Sequence, residues 1–260
     1  MGAASTVSKL GRLTTSIAGS VARIELHNSP LNIIDVPMME ELAQVLSEIE
    51  SKQDIAIIIF RGEGKVFSAG VDVAAHTPDK VEEMLAKFHG VIRALVATKR
   101  VTIAAVHGHC LGGGAELAMV CDIVYTTEAA QWGFPEIKLG CYPPVACAAL
   151  TALVGQKRAA ELILTGRTIS GREAARIGLA TDAVGDHCAA VEECVGNLLQ
   201  LSPAALSVTK KAFYAWDAIH FDKGLARAEK TYFDDLVKTH DAHEGIRAFM
   251  EKRPPKWTGR

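Results

Sequence analysis

The chain has 260 residues, 49% apolar and 22% charged, with a formal net charge of −2. These are the values of one large globular domain, or of one domain with a small appendage. The balanced charge gives no sign of a nucleic-acid-binding protein while leaving room for a local basic patch for phosphate groups, and no apolar run approaches the roughly 18 residues of a membrane span.

Residues 1–24 contain no Asp or Glu, and Lys9, Arg12 and Arg23 sit among Ser and Thr. That composition resembles a transit peptide, and Gly2 with Thr6 fits the short myristoylation pattern. The plainer expectation, adopted here, is a short polar tail entering a first strand over 20–27, with Gly19 in a turn. Asp35 before Pro37 is a helix start, with Asp as cap and Pro in the first turn. Leu42, Val45, Leu46 and Ile49 follow at helical spacing and predict an amphipathic helix over 37–52. The β-branched run 55–60 suits a strand buried on both faces. A turn over 61–64 follows, then a short extended piece at Val66 and Phe67. Met84, Leu85, Phe88 and Ile92 share one face of a helix predicted over 80–96.

Residues 101–106 form a second buried strand, ending at Gly108. A helix over 111–119, a strand over 123–125 and helices over 146–153 and 157–164 come next. Ser170 with Glu173 is a capping box for a helix over 171–177. Ser202-Pro203 opens a helical stretch, and 203–250 has no strand-like run. The order predicts an α/β core over 1–200 and a helical region over 201–260. Six cysteines stand at 110, 121, 141, 147, 188 and 194 without a C-x-x-C pair. They read as reduced, mostly core thiols of a cytosolic protein, Cys110 included.

Three segments fall at strand-to-helix turns, where α/β folds place ligands. They are Phe67-Ser68-Ala69-Gly70-Val71-Asp72, Gly108 through Glu116, and Trp132-Gly133-Phe134-Pro135-Glu136. At Gly112-Gly113-Gly114 a helix begins, so its unpaired N–H groups and positive dipole end point the same way. Such a turn attracts phosphate or a developing oxyanion. Phosphate fits less well, because a P-loop carries Gly-Lys-Ser/Thr where this chain has Gly114-Ala115-Glu116. Glu116 stands three residues after Gly113, and Glu136 lies 20 residues beyond Glu116. Two carboxylates near one electrophile make an acid/base pair, and apolar neighbours raise one pKa toward neutrality. No metal-ligand spacing is present, and His107 and His109 read as packing or turn residues.

Together these segments resemble the crotonase, or enoyl-CoA hydratase/isomerase, superfamily. Ala69-Gly70-Val71-Asp72 is similar to its A-G-x-D turn, Gly108 through Met119 to its G-x-x-x-G-G-G-x-E-L-A-M segment, and Phe134-Pro135-Glu136 with Leu139-Gly140 to its P-E-x-x-x-G segment. Pro30-Leu31-Asn32 and Phe249-Met250-Glu251-Lys252-Arg253 fit the family's ends. The resemblance implies a spiral of β-β-α units with a C-terminal helical trimerisation region, in a homotrimer or dimer of trimers. It implies an oxyanion hole from the N–H groups of Val71 and Gly113, and coenzyme A contacts around Ser68, Ala69 and Gly70. Glu116 and Glu136 would activate a water and protonate the enolate. No cofactor is implied, since coenzyme A is part of the substrate.

Two departures narrow the expectation. Tyr142-Pro143-Pro144-Val145-Ala146 replaces the glycine-rich turn of simple hydratases, and Pro143-Pro144 removes an N–H that helps hold the water there. Val73 through Pro78 replaces a short basic segment. These features and the segment 76–89 look most like cyclohexa-1,5-diene-1-carbonyl-CoA hydratases of anaerobic aromatic degradation, with Trp132, Phe134 and Tyr142 as candidate pocket walls. The alternatives are a short-chain enoyl-CoA hydratase, a Δ3-Δ2 enoyl-CoA isomerase, and a non-catalytic acyl-CoA- or RNA-binding relative.

Overall fold

The structure, a computed structural model, describes residues 6–259, and of residues 213 and 215–219 the backbone alone. Gly2 lies outside these residues. The polar tail expected before the first strand is instead an antiparallel pair, β1 (Thr6–Lys9) and β2 (Leu13–Ala18), whose second member pairs with β3 (Val21–Leu26) through a turn at Gly19. Its Ser/Thr-rich sequence hid it, because strands at a sheet edge need only one anchored residue. Here Leu13 is fully buried.

After β3, Asp35 caps α1 (Val36–Ser51) by accepting the Met38 N–H at 3.0 Å. Such a cap stabilises a helix by about 1 kcal/mol. β4 (Ile57–Gly62), a 3-10 turn (Val73–His76), α2 (Val81–Ala97) and β5 (Val101–Val106) follow. Next come β6 (His109–Leu111), α3 (Gly113–Met119), β7 (Ile123–Thr127), β8 (Gln131–Gly133) and a second 3-10 turn (Pro135–Leu139). The helix expected from 111 therefore starts later, with Leu111 in a strand. α4 (Pro144–Val154), α5 (Gln156–Thr165), β9 (Thr168–Ser170), α6 (Gly171–Arg176), β10 (Asp182–Val184) and α7 (His187–Leu198) complete the α/β part. α7 has no counterpart among the expected elements. The helices α8 (Pro203–Thr231) and α9 (His240–Met250), joined through a π-helical turn (Tyr232–Leu236), close the chain.

The main sheet runs β1-β2-β3-β4-β5-β7-β10 and is parallel from β3 onward. Its central strands alternate between two apolar cores. Ile24, Ile58, Phe60, Ala104 and Val106 point to one side, toward α1 and α2, while Ile57, Ile59, Ile103 and Ala105 pack against Val191 and Val195 of α7. That is why 55–60 reads as a continuous apolar run rather than an alternating one. Each such isoleucine contributes about 1.5–3 kcal/mol on burial.

The smaller sheet, β6-β8-β9, sits at the ends of the parallel strands and carries the site. Asn32 ties the loop after β3 to the turn that follows β4. The residue is buried with φ +50°, and its Nδ2 donates to the Glu63 and Val66 carbonyls, at 2.9 Å each. Its own carbonyl accepts the Ser68 hydroxyl at 2.7 Å, and the Leu31 carbonyl accepts the Ala69 N–H at 2.9 Å.

Candidate active site

One cavity of about 780 Å³ opens where these turns meet. Its wall includes Ala69, Gly70 and Val71 from the first turn, Gly112, Gly113 and Glu116 from the second, and Glu136 from the third. The three segments singled out in the sequence thus converge on one space.

The donors are built by the backbone. Val71 forms a parallel bridge with Ile34 in which Ile34 donates to the Gly70 carbonyl and accepts the Asp72 N–H. A parallel bridge of that kind turns the Val71 N–H away from Ile34. Gly113 is the first residue of α3, and an N–H in a helix's first turn has no intrahelical acceptor. The two groups are neighbours: a Cβ on Gly113 would lie 3.4 Å from Val71 N and 2.5 Å from Val71 Cγ2. Only glycine permits that approach.

Gly112 joins β6 to α3 at φ +51°, ψ −128°, a conformation foreign to residues with a Cβ. A Cβ there would also stand 2.6 Å from Glu136 Oε1. The carboxylate of the third segment is therefore pressed against the backbone of the second.

Glu116 is buried, and its Oε1 accepts the Ala146 N–H at 2.9 Å. Burial pushes its pKa up to about 7, against the opposing pull of the Ala146 and Val145 N–H groups. Glu136 is half-buried as a residue, yet its Oε2 is enclosed and has no hydrogen-bond partner. Burial first, and the nearby Glu116 charge second, push its pKa well above the carboxylate range. Burial and the Glu116 charge together keep a proton on Glu136 while Glu116 gives up its own first. The site can accept a proton at one oxygen and donate one at another.

Pro143 and Pro144 line the opposite wall. Pro144 begins α4 and offers no N–H, so the first donors of that helix are Val145 and Ala146, and both serve Glu116. The departure read in the sequence thus has a structural consequence: the α4 N-terminus holds a carboxylate.

The other expected residues divide. Ala69, Gly70 and Tyr142 line the cavity. Ser68 does not. Its N–H donates to the His109 carbonyl, its own carbonyl accepts the Leu111 N–H, and its side chain is fully buried. Trp132 and Phe134 are core residues at 0% exposure, outside the lining, and Trp132 Nε1 donates to Thr126 Oγ1 at 3.0 Å. The period-two alternation of a strand explains this, since β8 turns Trp132 inward. The Tyr142 hydroxyl donates to the Ala228 carbonyl of α8 at 2.7 Å. Cys110 is buried, with its thiol 3.6 Å from the Gly114 carbonyl, in a packing role. The tightest group of metal-ligand atoms among the described residues is Asp186, His187 and Cys188, outside the cavity, where Asp186 already caps α7.

Residues 16–260 match the family described as Enoyl-CoA hydratase/isomerase. The chain belongs to the enoyl-CoA hydratase/isomerase family. Among its relatives, cyclohexa-1,5-dienecarbonyl-CoA hydratase of Thauera aromatica is 33% identical over 243 residues, covering 93% of this chain and 94% of that protein. A probable enoyl-CoA hydratase of Bacillus subtilis is 33% identical over 258 residues, 96% of this chain and 100% of that protein. The crystal structure of an enoyl-CoA hydratase from Mycobacterium avium subsp. paratuberculosis superposes with a TM-score of 0.87 at 26% identity, covering 96% of this chain and 100% of that one. The relatives are hydro-lyases, and this member of the enoyl-CoA hydratase/isomerase family is an enzyme of that type with the crotonase fold.

Sequence reasoning missed the C-terminal share of the site. Phe249, Met250 and Arg253 reach the cavity from the end of α9. Arg253 is held there by Glu244, at 2.6 Å, and Glu244 also takes Arg247 and the Lys256 N–H. Phe249 and Met250 are about half exposed, at 52% and 53%. An apolar pair closing an amphipathic helix was the signal available. Among the described residues no helix is long and apolar enough to cross a membrane.

Proposed function

We propose that the chain adds water to a conjugated enoyl- or dienoyl-CoA thioester, with cyclohexa-1,5-diene-1-carbonyl-CoA as substrate, in anaerobic aromatic degradation. The observation that carries the reading is the meeting of Glu116 and Glu136 with the Val71 and Gly113 N–H groups in one largely apolar cavity. In this reading the thioester oxygen lies between the two N–H groups, and each oxyanion donor contributes about 3 kcal/mol to the transition state. Glu116, fixed by the α4 N–H groups, takes a proton from water as its oxygen bonds to the electrophilic carbon of the double bond. The enolate forms on the stabilised oxygen. Glu136, kept protonated by burial and by Glu116, delivers its proton to the enolate carbon. Ala69 and Gly70 contact coenzyme A at the cavity's rim.

The ring substrate is supported by the Thauera aromatica relative and by the Tyr142-Pro143-Pro144 wall, which replaces a flexible glycine turn with rigid surface. The reading includes a homotrimer or dimer of trimers in the cytoplasm, tested by light scattering and by fractionation. Its central test is hydration of crotonyl-CoA and cyclohexa-1,5-diene-1-carbonyl-CoA side by side. Rapid turnover of crotonyl-CoA with no reaction of the diene would remove the ring substrate and leave a general hydratase. One observation favours the isomerase alternative: Glu136 keeps an enclosed oxygen without a partner, whereas Glu116 Oε1 is taken by the Ala146 N–H. Under that alternative Glu116→Gln retains most activity, whereas under the hydratase reading it abolishes it.

A further inference from the structure

Two aromatic rings share the wall beside Glu136, and the proposed chemistry uses neither. Tyr142 and Tyr232 both line the cavity, Tyr142 half-buried and Tyr232 almost fully buried. Their centroids lie 5.1 Å apart at 67°, an edge-to-face pair. That is a geometry the ring quadrupoles favour.

The pair is fixed from two sides. The Ala228 carbonyl of α8 accepts the Tyr142 hydroxyl at 2.7 Å and also the N–H of Tyr232. Tyr232 opens the π-helical turn over Tyr232–Leu236, a kind of turn that recurs at functional sites. Its hydroxyl donates to the Cys141 sulfur, and the Cys141 N–H and thiol both bond to the Glu136 carbonyl, at 3.2 and 3.4 Å. The rings are thus tied to the residue that supplies the proton in the proposed chemistry. Pro143 and Pro144 continue the same wall with rigid surface.

In the hydratase reading Glu136 protonates the carbon next to the thioester carbonyl. A surface beside Glu136 therefore meets whatever that carbon carries. A straight-chain enoyl thioester carries only hydrogen there and leaves the Tyr142 ring uncovered. A carbon branch at that position, within a ring or as a methyl group, lies on the aromatic surface and removes it from water. The wall is already ordered, so this contact costs little conformational freedom.

We infer that Tyr142 is a specificity-determining residue, held in place by Tyr232 as a positioning residue, and that the cavity selects acyl-CoA thioesters branched at the carbon next to the carbonyl. The inference rests on the hydratase reading of Glu116 and Glu136, and it widens the ring substrate of that reading to a chemical class.

The test measures binding of saturated thioesters, which hydration cannot consume, by titration calorimetry on the full-length protein. Each comparison pairs acyl groups of equal carbon number: isobutyryl-CoA with butyryl-CoA, and cyclohexanecarbonyl-CoA with heptanoyl-CoA. Equal carbon number leaves the position of the branch as the main difference. The wild type is expected to bind the branched member of each pair tighter by about fourfold or more, the worth of one buried carbon. Tyr142→Ala should bring both ratios close to one, and Tyr232→Leu should do the same by removing the support. Tyr232→Phe keeps the edge-to-face pair and should keep both ratios, an outcome that a role confined to the hydroxyl would not give. Circular dichroism reports the folding of each variant. Should Tyr232→Leu fail to fold, Tyr142→Ala, at a half-exposed position, decides alone. Equal affinities within each pair in the wild type would overturn the inference, as would ratios that survive Tyr142→Ala. Hydration of crotonyl-CoA is assayed in parallel. A wild type that prefers the branched esters but hydrates no enoyl ester removes the hydratase reading and leaves the preference standing, whereas hydration with equal affinities does the reverse.

Discussion

Gly112→Ala tests the position of Glu136 more directly than removal of the carboxylate does. The added methyl would stand 2.6 Å from Glu136 Oε1, where ordinary contact begins at 3.4 Å. The carboxylate is the end of a flexible side chain, so it gives way rather than the backbone. A retreat of roughly 0.8 Å follows, and misplacements near 1 Å cost about 10²-fold in rate. Separately, alanine at φ +51° strains the backbone by about 1–3 kcal/mol. For a chain of this size that lowers Tm by a few degrees, about 2–4 °C per kcal/mol. The variant is therefore expected to fold, to bind thioester with little change in KM, and to lose about two orders of magnitude in kcat. Hydration of crotonyl-CoA, followed by loss of the enoyl-thioester absorbance, gives both constants, and calorimetry gives Tm. A variant with wild-type kcat at a lowered Tm would refute the reasoning, because it would show that Glu136 does no chemistry from its place against Gly112.

Stability should fall with pH through the range in which Glu116 keeps its proton. The folded protein binds that proton up to about pH 7, while the unfolded chain releases it near 4.5, so the unfolded state binds fewer protons in between and stability drops as pH rises. Glu116→Gln should remove this loss, worth about 3 kcal/mol at about 1.4 kcal/mol per tenfold change in proton affinity, so urea melts should show the variant gaining at pH 8 and nothing at pH 4. Equal stability differences at both pH values would contradict the assignment. Tyr142→Phe deletes the hydroxyl bonded to Ala228 and should lower stability by about 1 kcal/mol with kcat unchanged; a collapse of kcat would put the hydroxyl in the chemistry. Thiol labelling of the native protein should find Cys188 first. Cys147 should react slowly although it is exposed, because desolvation by the surrounding protein, and then the Glu116 and Glu136 charges, push its thiol up to about 12. Cys110, Cys121 and Cys141 should react only on unfolding, and rapid modification of Cys110 would contradict its packing role.

Much of the site was legible in the sequence because backbone chemistry leaves a compositional trace. Consecutive glycines at a strand-to-helix turn, an Asp-Pro helix start and a Ser170/Glu173 capping box are local events decided by nearest neighbours, and each stands in the structure where the spacing put it. The β-branched run at 55–60 announced a strand with two buried faces for the same reason, and the strand itself starts at Ile57. The edge strands β1 and β2 escaped because their pairing is with each other and with β3, and a half-exposed edge tolerates Ser and Thr.

What the sequence by itself determined was the set of groups that the proposed chemistry uses, two carboxylates and two glycine-flanked N–H donors, in an order that marks the family. Only the tertiary structure decided which groups meet. It turned Trp132 and Phe134 into the core and gave the α4 N-terminus to Glu116. It also brought Phe249, Met250 and Arg253 to the cavity from the far end of the chain, and set Tyr142 against Tyr232. The physical reason is range. Helix starts and turns are fixed by hydrogen bonds within a few residues, whereas a pKa or an aromatic contact depends on what burial removes and which distant side chain remains.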